Sequence, residues 1–115
     1  MTEHHLSFIE NLHANQIISN EVNLAGLWVI DALTKRMSEF TAPTIAPSET
    51  GNLVFSWQGF SYYFDIEISA TGNIECYAER NDGEDRFYTE ILMGDDAALC
   101  AVVPLLIRAL DEVRV

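Results

Sequence analysis

Between Leu53 and Leu92, apolar and polar residues alternate with period two through four stretches: Leu53-Val54-Phe55-Ser56-Trp57, Tyr62-Tyr63-Phe64-Asp65-Ile66-Glu67-Ile68, Ile74-Glu75-Cys76-Tyr77-Ala78-Glu79 and Arg86-Phe87-Tyr88-Thr89-Glu90-Ile91-Leu92. β-Branched and aromatic residues dominate them, which predicts half-buried strands. Successive strand side chains point to opposite faces. Phe64, Ile66 and Ile68 therefore group with Ile74, Cys76, Ala78, Phe87, Thr89 and Ile91. The other face collects Tyr63, Asp65, Glu67, Glu75, Tyr77, Glu79, Tyr88 and Glu90, with Leu92 at its end. One apolar face and one acidic, aromatic face is the signature of an antiparallel sheet packed on helices on one side only.

The intervening residues agree. Ala70-Thr71-Gly72-Asn73 supplies Gly and Asn where a tight hairpin needs positive φ. Asn81-Asp82-Gly83-Glu84-Asp85 is a longer polar hairpin loop, Gln58-Gly59 breaks the run between two strands, and Pro47 to Asn52 reads as a loop feeding the first strand.

Helical periodicity flanks the strands. Thr2 can cap a helix from near Glu3 to about His13, with Leu6, Ile9, His13 and Ile17 at helical spacing. Ser19 or Asn20 caps a second, whose stripe is Ala25, Trp28, Val29, Ala32, Leu33, Met37 and Phe40. Leu24, Leu27 and Ile30 make its first half apolar nearly all round, as expected of a helix between a sheet and another helix, or partly in a subunit interface. Thr41-Ala42-Pro43 ends it, because the residue before proline avoids the α region. Asp95 or Asp96 caps a final helix with the stripe Leu99, Val102, Val103, Leu106, Ala109, Leu110 and Val113. Pro104 falls inside that stripe, removes a backbone hydrogen bond and predicts a kink or a break into two helices. No internal repeat, low-complexity tract or second domain is visible.

The expected fold is a single α+β domain over residues 1–115. Two N-terminal helices, a four-stranded antiparallel meander and a C-terminal helix form two layers, with all helices on the face bearing Phe64, Ile66, Cys76, Phe87 and Ile91. Trp28 and Trp57 are expected to be largely buried.

Composition narrows the function. The 115 residues are 49% hydrophobic, ample for a core, and carry a formal charge of −12 with a pI near 4.3. Such a balance disfavours direct nucleic-acid binding and anionic membranes, both of which select basic surfaces. It is also what solubility alone would give. No basic segment precedes an apolar run at the N-terminus, and the longest apolar stretch, Leu24 to Ile30, is too short to span a bilayer. Cys76 and Cys100 read as buried, reduced thiols, consistent with a cytoplasmic location. His4, His5 and His13 lack the spacing of a metal site, so no metal or cofactor is expected.

Pro43-Thr44-Ile45-Ala46-Pro47-Ser48, then Gly51, Leu53, Phe55 and Trp57, then Phe64-Asp65-Ile66-Glu67-Ile68, Gly72 and Ile74 form a connected pattern over about a third of the chain. It resembles small, largely uncharacterised bacterial and phage proteins in which a helix leads into a Pro-x-hydrophobic-x-Pro-Ser/Thr turn. A Trp-ending strand and an acidic Leu-Glu-Ile-Glu-Ile-like strand follow in that family. This chain departs from it in having no Trp-Asp-x-Tyr-Gly segment before the helix and no acidic residue before Trp57. The resemblance implies the hairpin layout and carries over no catalytic residue.

The chain contains no Gly-x-Ser-x-Gly elbow, phosphate-binding Gly-rich loop with Lys, His-Glu-x-x-His or Cys-x-x-Cys. Asp65 and Glu67, with Glu75 and Glu79 on the next strand, are spaced for acid–base work or for a hard cation. An open sheet face, however, lacks walls to exclude water. Asp65, Glu67, Glu75, Glu79 and Glu90 crowd this face at an electrostatic cost, and Arg80 and Arg86 near the loop relieve little of it. Tyr63, Tyr77 and Tyr88 add the rigid, polar-tipped area favoured in interfaces. These eight residues are the expected binding site for a basic protein partner, such as a nuclease or nucleic-acid-binding enzyme. The protein would then act as a non-catalytic inhibitor of the antitoxin, immunity or anti-defence type. The alternatives are a small enzyme or metal- or ligand-binding domain using the same carboxylates, and a structural subunit dimerising through its second helix.

Overall fold

Strand alternation becomes sheet geometry in a computed structural model that describes residues 2–36, 43–59, 62–80 and 86–113. The elements, in chain order, are α1 (Thr2–Ala14), α2 (Asn20–Arg36), β1 (Thr44–Pro47), β2 (Leu53–Gln58), β3 (Tyr62–Ile68), β4 (Ile74–Arg80), β5 (Arg86–Ile91) and α3 (Asp96–Val113). The five strands form one antiparallel sheet in the order β1-β2-β3-β4-β5, giving an α+β architecture.

The sheet has one strand more than expected. Thr44 to Pro47 pairs with β2, placing Ile45 opposite Phe55 and Pro47 opposite Leu53. Four residues are too few to show period two, and the flanking prolines read as loop. Proline is nonetheless tolerated on an edge strand, where no neighbour needs its missing N–H.

β1 turns into β2 through Ser48-Glu49-Thr50-Gly51-Asn52, and β3 into β4 through Ser69-Ala70-Thr71-Gly72-Asn73. These loops are the same device used twice. In each, the Ser N–H donates to the Asn carbonyl at 2.8 Å, the Gly N–H donates back to the Ser carbonyl, and the Asn N–H donates to the Ser hydroxyl. Gly51 and Gly72 take φ of 84° and 90°, where a side chain would be strained. Ser-x-Thr-Gly-Asn thus occurs twice, a short internal repeat where none was expected. The expected loop from Asn81 to Asp85 lies outside the described residues.

The core matches the predicted face. Leu53, Phe55, Trp57, Phe64, Ile66, Ile68, Ile74, Cys76, Ala78 and Ile91 are buried. Trp57 meets Phe64 edge to face, with ring centroids 5.7 Å apart. Phe87 points the same way but is 37% exposed, because β5 is the last strand of the sheet. α3 packs across β2, β3 and β4, α2 packs against β3 and α3, and α1 packs on α2 rather than chiefly on the sheet. Gly26 permits this stacking: a Cβ there would lie 3.1 Å from Leu53 Cδ2 and 3.7 Å from Ile9 Cδ1.

Three helix ends are fixed by identifiable hydrogen bonds. Ser19 caps α2 by accepting the Val22 N–H at 3.3 Å, and Asp95 caps α3 by accepting the Ala98 N–H at 3.1 Å. α1 closes in a Schellman arrangement: the Ile17 N–H donates to Leu12 O at 2.9 Å and the Gln16 N–H to His13 O at 3.0 Å. Gln16 takes φ 61° to make this turn. The helix phase therefore ends before Ile17, which is exposed, and the buried positions are Ile9, Leu12 and Ile18.

Leu24 and Cys100 are more exposed than expected. Leu24 is 48% exposed, since α1 covers one flank of α2 and not its whole circumference, whereas Trp28 packs against the core as expected. Cys100 is exposed, because Leu99, Val102, Val103 and Leu106 take the inward arc of α3. There it accepts a hydrogen bond from Arg36 Nε at 2.6 Å, while Arg36 also reaches Asp96 Oδ2 at 3.6 Å, tying α2 to α3. Pro104 sits on the exposed side of a single helical element. The α2 continuation through Met37 and Phe40, its stop at Thr41-Ala42, and the side chains of Leu6, Ala109, Leu110 and Val113 lie outside what is described.

Candidate functional site

Strand register, not sequence proximity, builds the open face of the sheet. Three rows of directly opposed residues run across the strands. The first is Ala46, Val54, Glu67, Glu75 and Glu90; the second is Thr44, Ser56, Asp65, Tyr77 and Tyr88; the third is Gln58, Tyr63, Glu79 and Arg86. All eight predicted site residues share this face. β1 and the β1 side of β2 are uncharged, so the acid concentrates over β3, β4 and β5.

The first row places Glu67 opposite Glu75 and Glu75 opposite Glu90. Directly opposed strand residues have Cβ atoms about 4.5–5.5 Å apart, where like charges destabilise the pairing. Relief comes from hydrogen-bond donors. Asn52 Nδ2 donates to Glu67 Oε1 at 3.2 Å, the Tyr88 hydroxyl donates to Glu90 Oε1 at 3.2 Å, and Tyr88 also bonds Glu75.

Tyrosine and carboxylate recur two residues apart on all three acidic strands. Tyr63 bonds Asp65, the Tyr77 hydroxyl donates to Glu79 Oε2 at 2.7 Å, and Tyr88 donates to Glu90. A spacing of two keeps both groups on one face. Each hydroxyl proton is thereby held by an anion. Desolvation, followed by the bond to Asp65, pushes Tyr63 up to about 12. Desolvation, then the bonds to Glu75 and Glu90, pushes Tyr88 up to about 12 as well. Tyr77 is raised chiefly by its bond to Glu79. Asp65, half-buried at the centre of the second row, is raised above the ordinary carboxylate range. Desolvation is the main cause, and Glu67 and Glu75 add to it against the lowering effect of the Tyr63 bond.

Arg86 shares this face as the exposed partner of Glu79. Its Nε lies 3.5 Å from Glu79 Oε1 across β4 and β5, so one corner of the face is an ion pair. Strand parity from Tyr88 would have placed Arg86 on this face. Asn52 was missed because it lies in a turn, outside the alternation. Cys76, beneath the face and buried, is pushed up to about 12 by desolvation and, secondarily, by Asp65, which leaves it a neutral thiol.

Among the described residues, no group of three or more His, Cys, Asp or Glu side chains is placed to hold a metal ion. No helix among them is long and apolar enough to cross a membrane. Comparison of the chain with protein families, with curated proteins and with solved structures finds no match in any of the three.

Proposed function

We propose that the protein is a non-catalytic binding module that covers a basic surface of a partner protein with its acidic, tyrosine-bearing sheet face. The row Glu67–Glu75–Glu90 carries this reading. Each directly opposed like-charge pair costs roughly 0.2–1 kcal/mol. Solubility alone is served as well by interleaving the same charges with neutral or basic residues. A cationic partner turns the repulsion into attraction and speeds association through the field of the whole acidic chain. Tyr63, Tyr77 and Tyr88 add rigid contact area among the charges. A nuclease or other nucleic-acid-binding enzyme is basic where it holds phosphates, so an inhibitor of the antitoxin, immunity or anti-defence type, acting in the cytoplasm, fits the face best.

The test is affinity capture from the native host with wild-type protein and with the Glu67→Gln/Glu75→Gln/Glu90→Gln protein, at low and high salt, read by mass spectrometry. Wild type is expected to retain a basic protein at low salt and release it at high salt. The triple variant is expected not to retain it. Tyr77→Ala should chiefly speed dissociation, since it removes contact area. A partner held equally well by the triple variant, with no salt dependence, overturns the proposal.

A further inference from the structure

The two edges of the sheet are built differently. β1 has four residues and is bounded by Pro43 and Pro47, which is how an edge is closed to further pairing. β5 has six residues, Arg-Phe-Tyr-Thr-Glu-Ile, with neither proline nor lysine. Exposed apolar surface gathers at this unblocked edge. Phe87 (37%), Tyr88 (57%), Leu92 (77%) and Met93 (53%) are half of the exposed large hydrophobic residues that the structure describes. An edge strand without proline or lysine is a template for another strand.

Charge placement selects the occupant. Arg86 and Glu90 lie on the same face of β5, four residues apart, with Tyr88 midway. When two copies of this strand run antiparallel with Tyr88 opposite Tyr88, Arg86 of each copy faces Glu90 of the other. Phe87 then faces Thr89 on the helix side. This register keeps the open face on one side and the helix layer on the other, as strand parity demands. A strand carrying one charge of each sign, symmetric about its centre, complements itself, and a two-fold axis is the commonest way identical chains meet.

We infer that the protein forms a homodimer in which the β5 edges of two copies pair antiparallel about Tyr88, joining the two sheets into one. The dimer brings two acidic faces to the same side of a continuous sheet, independently of what those faces bind. The Arg86–Glu79 contact within the chain persists as a neighbour of the new pair, since Glu79, Arg86 and the second copy's Glu90 occupy one row.

Charge reversal tests the register by analytical ultracentrifugation, with circular dichroism confirming that each variant is folded. Wild type is expected to be dimeric in the micromolar range. Arg86→Glu places Glu opposite Glu90, and Glu90→Arg places Arg opposite Arg86, so each variant alone should dimerise about tenfold or more weakly. An equimolar mixture of the two has only attractive pairs and should recover the dimer as a heterodimer. The double variant Arg86→Glu/Glu90→Arg should also dimerise. A monomeric wild type overturns the inference. So does a dimer indifferent to both reversals, one broken instead by Leu24→Glu on the other side of the molecule, or a mixture that stays monomeric.

Discussion

Asn52 holds Ala70: the Ala70 backbone N–H donates to Asn52 Oδ1 at 2.9 Å, linking the two Ser-x-Thr-Gly-Asn loops side by side. The same amide donates to Glu67 through Nδ2, and the Ser19 hydroxyl donates to the Ala70 carbonyl at 3.0 Å. Asn73, its counterpart in the second loop, is exposed and makes no such tie among the described residues. Asn52→Ala should therefore destabilise the protein by about 1–2 kcal/mol, and Asn73→Ala by a few tenths. Urea unfolding of the two variants checks the difference; equal losses would show that the tie contributes nothing.

The two loop glycines should also differ. Alanine at either position adopts the left-handed region at a cost of about 1–2 kcal/mol. At Gly51 the new Cβ meets Ala70 Cβ at an ordinary 3.7 Å, whereas at Gly72 it meets Glu21 Cβ at 3.2 Å. Gly72→Ala should lower the melting temperature more than Gly51→Ala; equal losses would show that Glu21 gives way freely.

Gln16 occupies the helix-ending position usually given to glycine, at φ 61°. Gln16→Gly should raise stability by up to about 1 kcal/mol, since relief of left-handed strain outweighs the added freedom of the unfolded chain. Thermal melts read this directly.

Asp65 titrates above its ordinary range in the folded protein, mainly through desolvation. Folding thus favours its protonated form. That contribution is complete below the unfolded-state value and is lost as pH rises through the folded-state value. Asp65→Asn should consequently be more stable than wild type at neutral pH, with the gap closing as pH falls into the carboxylate range. A variant less stable at neutral pH would show that the carboxylate's bond to Tyr63 outweighs its burial.

Tyr63 and Tyr88, both pushed up to about 12 from an ordinary 10.0, should ionise late when absorbance near 295 nm is followed to alkaline pH. Their raised values stabilise the fold below pH 10.0, and this is lost as pH rises through about 12. Urea-unfolded protein should titrate at the ordinary position. Removing Tyr63 and Tyr88 together by substitution with Phe should remove most of the delayed amplitude.

The face of the sheet was legible from parity alone, because Tyr63 through Glu90 obey period two and one buried side forces the register. What parity does not carry is which strand lies beside which residue. That Glu67 faces Glu75 follows from the length of the β3–β4 loop, and so from hydrogen bonds made at Ser69 and Gly72. Thr44 to Pro47 escaped because a strand of four residues between prolines has no period to show. Ile17 was misassigned because Gln16 turns the chain left-handed, and non-glycine residues give no sequence sign of doing so. Cys100 was misplaced because most of α3 is apolar, and only the packing angle decides which arc turns inward.

A sheet whose spatial order repeats its chain order has a kinetic consequence. Every strand pair in β1 to β5 is made between neighbours along the chain, across connections of a few residues. Closing such short connections demands little search. Hairpins can therefore form one by one and zip outward from either matched loop. Packing α2 on β3 and α3 on β2 closes longer stretches of chain, so substitutions in the helices are expected to leave hairpin formation unchanged and to alter the later packing steps.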